Sequence, residues 1–293
     1  MCIRDRLYNR SDNSTLSNVI TGTSGNLTFV GSGTTTVSGS SPFAGITTVD
    51  GTAAVITGDI NGSGAGRFIV GNASSGSSLT FQSGGLGSAA SMQIGNTNTS
   101  SNNTVTVTNA SLSMVGTLGV GAKGNSGNQL LVLGGGTVTS GNIFVGLDGG
   151  GSNALLISGA NAIVTADGNS GLGNFIGNNS SGNSLVISNG GTFNAIGRLY
   201  IGENGGTNNS VIVTGAGSLL TNTASNNSGI TIGDTNGSGG TLTVASNATV
   251  AGPSISIANA SNSTGVLNIG LYGANGTAAV SYTHLTLPTK RIV

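Results

Sequence analysis

The chain has 293 residues, with 54 glycines, a hydrophobic fraction of 36%, a charged fraction of only 5%, and 8 basic against 8 acidic side chains. Charge this sparse cannot hold a chain open by self-repulsion, and the apolar residues recur in short, regular runs, so the composition excludes intrinsic disorder. No apolar run approaches the roughly 20 residues that cross a bilayer as a helix.

The chain opens on MCIRDR and closes on VSYTHLTLPTKRIV, and these stretches hold Cys2 and His284, its single cysteine and single histidine. Residues 1–5 back-translate as ATG TGT ATA AGA GAC, whose reverse complement, GTC TCT TAT ACA CAT, encodes Val280, Ser281, Tyr282, Thr283 and His284. Both ends resemble inverted copies of the transposon mosaic-end tag of sequencing libraries, and LTLPT resembles the adapter that follows it. The resemblance implies that 1–6 and 280–293 are adapter sequence, to be set apart from fold and function. The protein's own signal peptide, anchor and C-terminal domain are then expected outside the stretch 7–279.

Within that stretch four basic and seven acidic residues remain. No basic patch is available to neutralise phosphates, which excludes a nucleic-acid partner. A chain without cysteine fits a bacterial extracellular protein that does not rely on disulfides. Setting Cys2 and His284 aside also removes Ser-His-Asp and Cys-His catalysis and Cys/His zinc sites.

Residues 7–66 alternate strand and turn, as in GNLTFVGSGTTTVSGSSPFAGITTVDGTAAV at 25–55. No Pro-rich or charged linker separates them from residue 67 onward, so they read as earlier coils of the same rod. Residues 67–279 carry a repeat. Its apolar-x-apolar triplets are Leu79-Thr80-Phe81, Val105-Thr106-Val107, Leu131-Val132-Leu133, Leu155-Leu156-Ile157, Leu185-Val186-Ile187, Val211-Ile212-Val213, Leu242-Thr243-Val244 and Leu267-Asn268-Ile269. A second landmark, apolar-Gly, ends at Gly71, Gly95, Gly121, Gly146, Gly177, Gly202 and Gly233. Two landmarks sharing a period of about 25 residues mark a solenoid.

Apolar β-branched residues in alternation, broken by Gly, Asn and Ser, make strands and not helices. The expected fold is all-β: a parallel β-helix solenoid of about 25-residue coils, with two or three strands per coil. Alternation sends Leu185 and Ile187 inward and Val186 outward, and turn glycines and asparagines supply positive φ. The aromatic residues Phe43, Phe68, Phe144, Phe175, Phe193 and Tyr200 read mostly as core or turn positions. Two longer cycles, containing NAIVTADGNSGLGN and GAGSLLTNTASNNSG, predict loops on the flank of the rod.

The acids Asp12, Asp50, Asp59, Asp148, Asp167, Glu203 and Asp234 are scattered at one per coil or fewer. Asp148, Glu203 and Asp234 each follow an apolar-Gly landmark and are expected along one edge, with Asn178 interrupting them and only Glu203 and Asp234 on consecutive coils. Cleavage of a polysaccharide needs paired carboxylates roughly 5–10 Å apart, so the spacing argues for solvated turn acids. DTNGSGG at 234–240 lacks the later acid of a calcium loop and reads as a turn capped by Asp234. The outward triplet row, Thr80, Thr106, Val132, Leu156, Val186, Ile212, Thr243 and Asn268, is apolar in its middle, which suits strand propensity or a self-associating face.

The stretch 25–55, with its G-x-L, G-x-G-T and aromatic-x-G-x-T-x-V elements (Phe43, Gly45, Thr47, Val49), resembles the passenger-associated repeat of autotransporters. Residues 68–270, most clearly VTGAGSLLTN and LYIGENGG, resemble repeats of type V secreted passengers and other exported bacterial surface proteins. The resemblance implies a right-handed β-helical passenger displayed at the outer membrane as an adhesin or biofilm component, with a C-terminal β-barrel or anchor in the full-length protein. The expected function is structural or adhesive and not enzymatic, with no cofactor, no metal and no catalytic residues. Expected partners are host or biofilm surface components or further copies of the chain; the competing function is a carbohydrate-active β-helix enzyme, a polysaccharide lyase or hydrolase.

Overall fold

The computed structural model describes residues 5–22, 25–42, 44–61, 66–168, 172–223, 229–270, 279–282 and 284–286. Among them every secondary-structure element is a strand, and the strands form three parallel sheets of twelve, eleven and ten. A coil takes one strand from each sheet. In one of them Ser184–Ser188 lies in the second sheet, Thr192–Ala195 in the third and Leu199–Glu203 in the first. Each pairs in parallel with its counterpart one coil later: Asn209–Thr214, Leu219–Asn222 and Ile230–Ile232. The chain is a β-solenoid with three strands per coil. Coils stacked at about 4.8 Å give a rod on the order of 50 Å long.

Alternation fills the rod from three sides. Leu185 and Ile187 of the second sheet, Phe193 and Ala195 of the third, and Leu199 and Ile201 of the first are all fully buried. The core is a narrow column where large residues interlock with small ones. Phe81 and Leu112 occupy the space a Cβ on Gly87 would need, and Phe68 meets Phe81 edge-on with ring centroids 5.8 Å apart.

The pairing runs without a break across 66/67: Ile46–Val49 pairs with Arg67–Val70, and Ala53–Ile56 with Ser78–Gln82. The early coils are shorter for a local reason. Only residues 31–33 connect Asn26–Val30 to Thr34–Val37, whereas 71–77 connect Arg67–Val70 to Ser78–Gln82. The corner from first to second sheet therefore expands after Val70, and the apolar-Gly landmark appears with it. At the rod's ends Asp5–Asn9 pairs with Asn26–Val30, and His284–Thr286 with Ser254–Ile257, since a sheet edge accepts any segment that can extend. Cys2, Phe43 and residues 287–293 lie outside the described residues.

One triplet shifts by a residue. Val105, Thr106 and Val107 pair with Leu130, Leu131 and Val132, so the aligned triplet is Leu130-Leu131-Val132 and not Leu131-Val132-Leu133. Leu130 and Val132 are fully buried, and Leu131 takes the outward place. A slip of one residue exchanges the two faces of a strand, and in the unbroken apolar run LLVL alternation alone cannot fix it. The outward row of the second sheet is thus Thr80, Thr106, Leu131, Leu156, Val186, Ile212, Thr243 and Asn268.

Candidate functional site

The expanded corner is organised by an asparagine ladder. Asn103, Asn128, Asn153, Asn183 and Asn209 occupy equivalent places on five successive coils, two residues before the inward triplet, and are buried. Each carboxamide oxygen from Asn128 onward accepts the backbone N–H of the preceding rung at 3.0–3.1 Å. The same oxygen accepts that rung's Nδ2–H at 2.9–3.1 Å. Ser77 extends the series, its N–H donating to Asn103 Oδ1 at 2.8 Å and its hydroxyl accepting from Gly51 N–H at 2.8 Å. The ladder ends at Gly240, the partner of Asn209. Buried amides stay in a core only when their hydrogen bonds are made, and here each coil satisfies the one before it.

The landmark glycines answer to this ladder. A Cβ on Gly71, Gly95, Gly121, Gly146 or Gly177 would meet the carboxamide of Asn103, Asn128, Asn153, Asn183 or Asn209 respectively. Beyond the ladder, at Gly202 and Gly233, the neighbours become the carbonyls of Gly239 and Thr264. The sequence reading took asparagine as a turn residue only. Its recurrence two residues before five of the eight triplets is the signal, and it also sets the register at Leu130.

The outer face of the first sheet carries the richest chemistry. Phe144, Phe175 and Tyr200 share one outward row and stack along the rod, with centroids 5.2 and 5.0 Å apart and the Phe175 and Tyr200 planes only 11° from parallel. Against the expectation of core or turn positions, these three stand on the outer face, apart from the core cluster that Phe68 and Phe193 join, yet their stacking leaves Phe175 and Tyr200 only 7% exposed. In register the row continues as Thr231 and Ser256. The fall from aromatic ring to hydroxyl leaves a depression of about 180 Å³ lined by Arg198, Tyr200, Gly229, Thr231, Asp234, Ser254, Ser256 and Asn259. Arg198 Nη1 donates to Tyr200 Oη at 2.9 Å, a bond that raises the guanidinium pKa further.

A second polar row follows the landmark glycines. Asn178 and Glu203 pair in register, and the Asp234 N–H donates to the Gly202 carbonyl, which places Asp234 beside Glu203. Asn178 Nδ2 donates to Glu203 Oε2 at 2.8 Å, and Asn259 Nδ2 to Asp234 Oδ1 at 2.7 Å. Partial burial, then the neighbouring Asp234 charge, raise the Glu203 pKa, and Arg198 opposes them. Asp148 does not join this row. Leu147 is the partner of Asn178, and Asp148 stands one residue further on, exposed, with φ of 55°.

The other acids are dispersed. Asp12 forms an exposed ion pair with Arg10 at 2.8 Å that lowers its pKa. Asp50 Oδ1 accepts the N–H groups of Asn72, Ala73 and Ser74 at 2.8–3.1 Å and closes the first expanded corner. Among the described residues no three His, Cys, Asp or Glu side chains gather. Asp234 does not cap its own turn as expected: its carboxylate serves Asn259 on the next coil, while Ser238 N–H closes the turn on the Thr235 carbonyl at 3.1 Å.

Both longer cycles place their extra residues at one corner, from third to first sheet: between Ile163–Ala166 and Asn174–Asn178, and between Leu219–Asn222 and Ile230–Ile232. They flank the coil that carries Arg198 and Tyr200. Of these insertions 169–171 and 224–228 lie outside the described residues.

A scan against protein-family models, a search of curated proteins and a search of solved structures each return no match.

Proposed function

We propose that the chain is a structural and adhesive passenger segment of a secreted or surface-displayed bacterial repeat protein, whose task is reach and presentation without catalysis. The observation that carries this reading is the uninterrupted stack of three parallel sheets with its ladder from Ser77 to Asn209. Every coil templates the next through backbone pairs, joined by buried amides from Asn103 to Asn209, so the section repeats along the axis and the rod can be lengthened by whole coils. Such a body suits holding a surface away from a cell. Residues 7–66 extend the same rod by further coils at one end.

Sequencing genomic DNA outward from codons 7 and 279 tests the reading. A signal peptide upstream and an outer-membrane β-barrel or surface anchor downstream are expected. Flanking domains of a cytosolic enzyme, or codons 1–6 and 280–293 present in the genome, would overturn it.

The competing reading, a carbohydrate-active enzyme, draws on the Glu203–Asp234 pair, because a carboxyl group with a raised pKa beside a second carboxylate is the pattern of glycoside cleavage. Each member, however, accepts a neighbour's amide, and the acid nearest the depression is bound to Asn259. We read the pair as part of a binding surface.

A further inference from the structure

We propose that the depression between Tyr200 and Ser256 binds a single neutral pyranose unit of a surface glycan. The inference rests on the adhesive reading above and names the ligand class that such a surface would take.

The shape comes from the row. Phe144, Phe175 and Tyr200 stack along the rod and the stack stops at Tyr200, because the next coils offer only Thr231 and Ser256 in the same place. Tyr200 thereby becomes a wall. Gly229 and Ser254, two residues before Thr231 and Ser256, keep the floor low, and Ile230, Ile232 and Ile255 beneath it are buried and fix the backbone. At about 180 Å³ the space is smaller than the roughly 300–1,000 Å³ of a drug-sized pocket and suits one six-membered ring.

The chemistry excludes the simpler ligands. A phosphate or other anion drawn to Arg198 would meet the Asp234 carboxylate, and a cation drawn to Asp234 would meet the guanidinium. Both signs are satisfied together by a ligand whose hydroxyls donate and accept. A sugar offers that: its hydroxyls accept from Arg198 and Asn259, donate to Asp234, and exchange with Thr231 and Ser256. Tyr200, packed on Phe175 and only 7% exposed, bounds the space, and the polar groups around it supply the contacts to the ligand. The Arg198–Tyr200 bond holds the guanidinium in place before ligand arrives. Few contacts on an open face predict millimolar affinity for one ring; an adhesin reaches useful strength through many copies.

Saturation-transfer difference NMR on the full chain tests this, with methyl β-glucopyranoside, methyl β-galactopyranoside, methyl α-mannopyranoside and N-acetylglucosamine as probes. At least one probe is expected to receive saturation from the protein. Ser256→Tyr, which continues the stack and fills the depression, is expected to cut that transfer at least fivefold. Gln93→Tyr, an addition to the same outward row several coils away, leaves it unchanged. Arg198→Gln, which removes the cation without filling the space, lowers the transfer as well and guards against a fold defect in Ser256→Tyr. No transfer to any probe, or equal transfer in wild type and Ser256→Tyr, would overturn the site. Failure here leaves the flanking-DNA result standing, and a cytosolic flanking sequence would leave the sugar site standing without an adhesive role.

Discussion

The carboxamide of Asn183 fills the space in which a β-carbon on Gly146 would stand, and Gly146 holds a φ of 78° that side chains resist. The two residues lie on successive coils, so a glycine in one coil is explained by an amide in the next. Gly146→Ala is expected to lose ~2–5 kcal/mol: about 1–2 from the left-handed backbone and about 1–3 from disturbing a buried amide. Gly84→Ala is the control, with a similar φ of 84° and no atom within 4 Å of the added carbon. It should lose only the backbone share, ~1–2 kcal/mol. Equal losses in denaturant titrations would remove the packing half of this argument.

The ladder predicts a directional defect. In Asn153→Ala the Asn128 N–H loses its acceptor, whereas the Asn183 N–H keeps Asn209 Oδ1. Amide hydrogen exchange should therefore show faster exchange at Asn128 and nearly native protection at Asn183, with an overall loss of ~2–3 kcal/mol. Symmetric loss on both sides would mean that the alanine opens a whole coil.

How much of this could be seen in the sequence depended on the kind of signal. The 25-residue period and the strand alternation identified the solenoid and placed Leu185 and Ile187 correctly, because a narrow core punishes any polar residue facing in. Leu130 was misplaced because four apolar residues in a row satisfy both registers, and the deciding information lay in Asn128 two residues upstream. The outward place of Phe144, Phe175 and Tyr200 was missed for a related reason. An aromatic on an outer face looks in sequence like one in the core, and only stacking between coils shows why it tolerates that position. The depression was invisible, since it is made by what Thr231 and Ser256 lack relative to Tyr200. Asp234 was seen as an acid on the right edge, but its partner Asn259 belongs to another coil and no local pattern joins them.

Glu203 gives the fold a pH signature. Its pKa is raised in the folded state by partial burial and by Asp234, so the protonated form is favoured there. The stabilisation from this group is fully present below the ordinary glutamate range and is lost as pH rises through the raised value. Glu203→Gln keeps an acceptor for Asn178 Nδ2 and removes the charge. Thermal melts should show the variant more stable than wild type at neutral pH, with the difference shrinking as the medium is acidified towards pH ~4. A variant less stable at neutral pH would show that the charge itself holds the corner together.

The apolar middle of the second sheet's outward row, Leu131, Leu156, Val186 and Ile212, predicts weak association between copies of the rod. Sedimentation should show a concentration-dependent rise in mass, lost in a Val186→Lys/Ile212→Lys variant that leaves Leu185, Ile187, Val211 and Val213 in the core. A monomer at every concentration would assign the row to strand propensity alone.

The claim that this rod presents and binds without reacting is tested most directly by incubating the purified chain with pectin, alginate, xylan and chondroitin and following the polymers by mass spectrometry and reducing-end assay. The account predicts unchanged polymers after prolonged incubation, in wild type and in Glu203→Gln/Asp234→Asn alike. New reducing ends or unsaturated uronides that appear with wild type and vanish in the double variant would contradict it, and would make the Glu203–Asp234 pair an active site.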